Sequence, residues 1–232
     1  MNILFSALHL AAFRNFESVI CSLAERGHHV CLLADEPETM GGQGLVEALT
    51  VRHPTVSWQW APSYEEERWF PLARKLRQSM DYLRYLDLKY QESPKLYERL
   101  AKRVPRVLLW VLSVPGINTA LGRRLLNQLL GVVEGAMPHS AAMDRFLREQ
   151  APDVVLLASV TNVRAPQLDH LRSAMSLGIP TGVCVYSWDH LSSKTLIRVV
   201  PDRVFVWNDT QKREAIEIHG LPDDRIVVTG AQ

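Results

Sequence analysis

The spacing of apolar and polar positions changes period several times along the chain, and each change marks an element. Residues 2–8 form a short, nearly continuous apolar run. After a loop come Phe16, Val19, Ile20, Leu23 and Ala24, spaced i, i+3, i+4 as on one face of a helix that stops at Gly27. Residues 30–34 (VCLLA) are again continuously apolar, as expected of a strand buried on both faces, so the opening predicts a β-α-β unit with a parallel pair. A short helix is predicted over 45–51 and an alternating strand over 56–60.

From about residue 65 to 150 the period is helical throughout. Pro71, Pro94, Pro105, Pro115 and Pro138 divide this stretch into about four or five helices, predicted to be an insertion into the sheet domain. Alternation then resumes with a strand over 154–158, a helix over 165–177 ending at Gly178, and a strand over 180–186. A polar loop leads to a strand over 203–207, a helix over 208–219 ending at Gly220, and a last strand over 226–229. Apolar strands alternating with amphipathic helices predict an α/β fold: a doubly wound, mostly parallel sheet. No fixed-period repeat or low-complexity tract argues for another architecture. Residues 230–232 follow the last strand with no closing helix, an unexpected place for a complete domain to stop.

The 232 residues carry a net charge of +1, with 47% hydrophobic and 22% charged positions, which excludes disordered, fibrous and polyanion-coating classes. Nucleic-acid binding is not expected, because the charge is near neutral and no recognised module is present. Cys21, Cys31 and Cys184 lie in apolar stretches at unrelated spacings, so they predict buried, reduced thiols rather than a zinc site or a disulfide framework. The apolar N-terminus lacks a basic leader region and a cleavage signal and is expected to be a strand. Residues 107–114 (VLLWVLSV) fall well short of the roughly 20 residues that a spanning helix needs.

In an open parallel sheet, ligands sit beyond the carboxyl ends of the strands, which selects three loops. The first, 8–15, contains neither G-x-G-x-x-G nor a P-loop, so close backbone approach to a pyrophosphate is not expected there. Asp35 occupies the place of a ribose-binding acid, but without those glycines it reads as a helix cap or a solvated turn residue. His9, at a strand end beside a helix N-terminus, suits a general base for a hydroxyl nucleophile, and equally a packed structural histidine. Arg14 offers a bidentate donor for a carboxylate or phosphate, and Asn15 reads either as its neighbour in that site or as the helix N-cap. The second loop, 159–162, contributes Ser159 and Asn162. The third is the densest polar cluster of the chain: Ser187, Trp188, Asp189, His190, Ser192, Ser193 and Lys194 combine an aromatic plate, a carboxylate, an imidazole, hydroxyls and an ammonium, a mixture suited to polyhydroxylated ligands. H-E-x-x-H, G-x-S-x-G and kinase signatures are absent and no metal site is expected.

The helical stretch carries a second signal. Lys95, Arg99, Lys102, Arg103, Arg106, Arg123 and Arg124 face a single acid, Glu98, and are interleaved with the apolar run 107–114. Basic amphipathic helices either lie on an anionic membrane surface or pack as a solvated helical face.

The opening MNILFSALHLAAFRNFESVICSLAERGHHVCLLAD, with its Leu-Ala-x-Arg-Gly-His phrase, resembles the first β-α-β of two-domain, Rossmann-like glycosyltransferases of the GT-B fold. The closing PDRVFVWNDTQKREAIEIHGLPDDRIVVTGAQ resembles the segment before their interdomain hinge, through T-Q-K-R-E-A, His219-Gly220-Leu221-Pro222 and V-V-T-G. The Ser-Trp-Asp-x-Leu loop is similar to that of uncharacterised bacterial members. This resemblance implies that residues 1–232 form one Rossmann-like N-terminal domain on the acceptor side. It implies a nucleotide-sugar donor held by a C-terminal domain outside this chain, and no cofactor within it. The fragment alone would be inactive; its acceptor would be a hydroxyl of an envelope component, a polysaccharide or a small molecule. His9 or Asp189 would be the catalytic base, with Arg14 and residues 192–194 orienting the acceptor. Cytoplasmic location, with peripheral contact at the inner face of the membrane, is the matching expectation. A stand-alone binding domain, a glycerol-phosphate transferase and a nucleotide-sugar epimerase are the alternatives.

Overall fold

The computed structural model describes residues 1–63, 67–87, 90, 94–162 and 166–231. The expected insertion boundary at Glu65, the side chain of Arg99, the helix start at Ala165 and the terminal Gln232 lie outside the described residues. Two compact units are present: Met1–Tyr64 with His139–Gln232, and Glu65–Pro138.

The first unit is the predicted α/β fold. Seven parallel strands run in the order β3-β2-β1-β4-β5-β6-β7. They are β1 (Asn2–His9), β2 (His29–Glu36), β3 (Val56–Trp60), β4 (Val154–Ala158), β5 (Thr181–Cys184), β6 (Arg203–Val206) and β7 (Ile226–Val228). The chain moves outward from β1 to β3, returns to lay β4 beside β1, and moves outward the other way. Its switch point, where such folds open a crevice, therefore lies between β1 and β4.

Alternation along β1 divides the core into two layers. Ile3, Phe5 and Ala7 face one layer with Ile20 of α1 (Glu17–Glu25) and with Val46 and Leu49 of α2 (Gly42–Arg52). Leu4 faces the other, with Leu168 and Leu171 of α8 (Gln167–Ser176) and Ala215 of α10 (Asp209–Glu217). Gly27 and Gly178 end α1 and α8 at φ 80° and 70°, where a side chain would be strained. Between β1 and α1, residues expected as loop form a 3-10 turn, Leu10–Phe16, which buries Leu10, Phe13 and Phe16.

Between β3 and β4 the chain forms α3 (Phe70–Tyr85), α4 (Pro94–Ala101), α5 (Arg106–Ser113), α6 (Ala120–Gly135) and α7 (Ala141–Gln150). The first four belong to the second unit, whose core joins Leu83, Val104, Leu108 and Leu112 with Leu126 and Leu130. Helix α7, which periodicity alone groups with the insertion, belongs to the sheet unit, because Met143 and Leu147 join the Leu4 layer. Among the described residues, no helix is long and apolar enough to cross a membrane.

Candidate functional site

Beyond Ala158, β4 ends in a backbone that a serine rarely adopts. Ser159 has φ 67°, and its amide donates to Leu157 O at 2.9 Å and Cys184 O at 3.1 Å. Its Oγ lies 2.7 Å from Thr161 Oγ1 and accepts the Thr161 amide at 3.2 Å, so the strained turn holds two hydroxyls side by side. Such strain persists where surrounding bonds over-determine it, and it clusters at functional sites. Thr161 O in turn accepts the amide of Thr195 at 2.9 Å, tying this loop to the one after β5.

The loop after β5 folds around Asp189. Its Oδ1 accepts from Ser187 Oγ at 2.7 Å, while Oδ2 accepts from Ser193 Oγ and pairs with Lys194 Nζ, each at 3.1 Å. Burial alone would raise this carboxyl, but the Ser187 hydroxyl, the Lys194 ammonium and the Ser193 hydroxyl outweigh it and hold it below its ordinary value. Where a continuous loop was expected, α9 (His190–Ser193) makes one helical turn and buries His190. The His190 ring meets Tyr186 edge-on, with centroids 4.5 Å apart. Burial pushes its pKa down to about 4; Asp189 opposes that shift and Lys194 adds to it, so the imidazole is neutral at pH 7. His219, two residues past α10, accepts the Ile197 amide on Nδ1 at 2.9 Å and donates from Nε2 to Leu191 O at 2.8 Å.

These loops enclose a pocket of about 220 Å³ at the carboxyl ends of β1, β4 and β5. Leu8, Ala158 and Tyr186 form its less polar walls, while Ser159, Thr161 and Asn162 line it from the β4 loop. Gln167 enters from α8, and His190 and Lys194 from the β5 loop. Two lining groups are buried without a hydrogen-bond partner: Gln167 Oε1 and His190 Nδ1. A buried, unpaired polar atom costs about 1–3 kcal/mol, which a ligand's polar groups would offset.

A buried polar chain explains why Gln167 points as it does. Ser6 Oγ of β1 lies 2.7 Å from His170 Nδ1, and His170 Nε2 lies 3.3 Å from Asp35 Oδ1. The other oxygen, Asp35 Oδ2, accepts Gln167 Nε2. With its amide nitrogen fixed on Asp35, Gln167 keeps its carbonyl oxygen for the pocket it lines. The reading of Asp35 as a cap or solvated turn residue is therefore corrected: its side chain is 6% exposed and holds α8 to the sheet.

Of the residues predicted from sequence, the structure brings Ser159, Asn162, His190 and Lys194 to one pocket. Ser187 and Ser193 serve Asp189, Ser192 is half-buried outside the lining, and Trp188 is 76% exposed. His9 is not among the lining residues. Alternation places it with Ile3, Phe5 and Ala7, on the face opposite Leu8, where Nδ1 lies 3.4 Å from Glu36 O. Arg14 donates to Met40 O at 3.1 Å. Asn15 donates to Ala12 O at 3.2 Å and is not the N-cap, because α1 starts two residues later and Phe16 holds that position.

Sequence reasoning missed Gln167, Thr161, Tyr186 and the Ser6–His170–Asp35 chain. One signal was available: Gln167, His170 and Ser173 recur at i, i+3, i+6 on a helix that is buried nearly all round. Among the described residues, no group of three or more His, Cys, Asp or Glu side chains could hold a metal ion.

The fold and this pocket define a Rossmann-like α/β protein with a polar crevice at its switch point. No protein-family model matches the sequence, and no curated protein matches it. Among solved structures, the chain is similar to UDP-GlcNAc 2-epimerase from Neisseria meningitidis bound to UDP-GlcNAc, at 12% identity and a TM-score of 0.46. That likeness covers 100% of this chain and 47% of the neighbour, so the chain spans about half the neighbour's length. A likeness at this level concerns the path of the backbone alone.

Proposed function

We propose that this chain is the acceptor-side half of a glycosyltransferase, with the pocket receiving a hydroxyl-rich acceptor. The observation that carries the proposal is the pair of unpartnered buried atoms, Gln167 Oε1 and His190 Nδ1, in a crevice whose other polar lining is hydroxyls, an amide and an ammonium beside Leu8 and Ala158. A sugar hydroxyl both donates and accepts, so a ring carrying several of them satisfies such a mixed lining, whereas an apolar ligand leaves both atoms unpaired. The resemblance of the closing segment to GT-B enzymes supports the same reading.

Within it, His9, half-buried at the carboxyl end of β1 and outside the pocket lining, is proposed to take the proton from a hydroxyl that the acceptor extends beyond the pocket. Asp189, already bonded to two hydroxyls and an ammonium, holds the loop's shape rather than acting as the base. Lys194 orients the acceptor within the pocket, Arg14 is proposed to contact it outside the pocket, and the nucleotide-sugar donor is bound outside this chain.

Ligand-observed NMR with mono- and oligosaccharides tests the assignment. Saturation transfer to a saccharide, lost in Gln167→Leu, is the expected result. Binding of a nucleotide sugar by this chain alone, or binding of saccharides unaffected by Gln167→Leu, would overturn it. In a polypeptide carrying both halves, His9→Ala is expected to lower turnover at saturating donor; unchanged turnover removes His9 from its role.

A further inference from the structure

We infer that the outward faces of α5 and α6 are a docking surface for an anionic lipid bilayer. This surface belongs to the unit Glu65–Pro138 and does not rest on the transferase reading. Both helices already have a core-facing side, since Leu108 and Leu112 of α5 and Leu126 and Leu130 of α6 pack in one cluster. The opposite faces are apolar as well. On α5 and its end, Val107, Trp110 and Val114 follow i, i+3, i+7 and are exposed, Trp110 by 69%. On α6, Leu121, Leu125, Leu129 and Val132 follow i, i+4, i+8, i+11 and are exposed, Val132 by 71%. Single exposed apolar residues are ordinary, but stripes that keep helical register over several turns mark an interaction surface.

Charge selects the occupant. From Lys102 to Val133 the chain carries Lys102, Arg103, Arg106, Arg123 and Arg124 and no Asp or Glu. The next acid, Glu134, is buried against Arg77 at 2.7 Å and presents no negative charge to that surface. Arg106 stands at the start of α5 beside Val107, and Arg124 on α6 beside Leu125, both exposed. Apolar side chains flanked by cations, with an indole among them, match the boundary between acyl chains and negative headgroups. A helix of 16 residues is about 24 Å long, which suits lying in the interface rather than crossing it.

Vesicle flotation of the whole chain tests this, using phosphatidylcholine with or without phosphatidylglycerol at low and high salt. The expected result is binding that requires phosphatidylglycerol and weakens with salt. It should fall by about tenfold both in Leu125→Asp with Leu129→Asp and in Arg106→Gln with Arg124→Gln. The second pair leaves the apolar faces intact, and circular dichroism checks that each variant folds. No binding to either vesicle, or equal binding to both, overturns the proposal. So does a self-association by sedimentation that Leu125→Asp abolishes without any vesicle binding, which would give the stripes to a second copy of the chain.

Discussion

In the sheet unit a connected set of polar residues lies inside: Ser6, Gln167 and His170 are at most 1% exposed. In the unit Glu65–Pro138, beside buried polar groups such as Asp81 and Glu134, apolar residues lie outside in register along α5 and α6. The first kind of departure costs desolvation and persists because the groups bond one another and, through Gln167, leave one acceptor for a ligand. The second kind costs apolar hydration and persists where another phase or surface covers it. A local rule broken with no gain inside the fold is where function should be sought, and these two sets of residues break it in opposite senses.

The largest test of that contrast falls on the buried polar chain. Asp35→Ala removes the acceptor of Gln167 Nε2 and the carboxylate 3.3 Å from His170 Nε2, and should destabilise the protein by about 3–5 kcal/mol in denaturant unfolding. A loss below about 1 kcal/mol would mean that the chain is not structural.

The next concerns His190. Its pKa is about 4 in the folded protein against an ordinary 6.5, so between those values the unfolded chain takes up a proton that the folded one refuses. Its contribution is constant above pH 6.5 and declines as pH falls towards 4, by about 3 kcal/mol in all. His190→Gln should flatten the difference in stability between neutral pH and pH 4; an unchanged slope would assign it to other groups.

The smallest contrast lies within the helical unit. Leu112→Ala, in the buried cluster, should cost about 2 kcal/mol, whereas Leu125→Ala, on the outer stripe, should change stability by less than about 0.5 kcal/mol. Equal costs would place Leu125 in the core and remove the distinction.

The strands were the most legible part of the sequence. β4 falls on the predicted 154–158 because a central parallel strand is a continuous apolar run, and β3, at the sheet edge, falls on 56–60 because its residues alternate between turns. Which unit claims α7 was not legible, since a helix packed on a sheet and one packed on helices share the same period. The polar loop 187–194 was legible as a cluster, but its inward turn onto Asp189 was not, because composition does not say which groups bond each other. Least legible was the contact of Asp35 with Gln167, made across 132 positions, and of Ser6 with His170, across 164. Contacts of that range are products of the completed sheet, and nothing local in the chain encodes them.

His219 has a consequence for how the molecule comes apart. One ring reaches Ile197 and Leu191, 22 and 28 positions back, and uses both nitrogens to do so. A polar stretch carrying Lys194 and Arg198 would ordinarily be the first place a trypsin-like protease cuts. Here exchange of the Ile197 amide requires its bond to His219, two residues past α10, to open. Cleavage or deuteration at this loop is therefore coupled to the segment that follows α10 in the sequence, and a half-buried loop shares the lifetime of that contact.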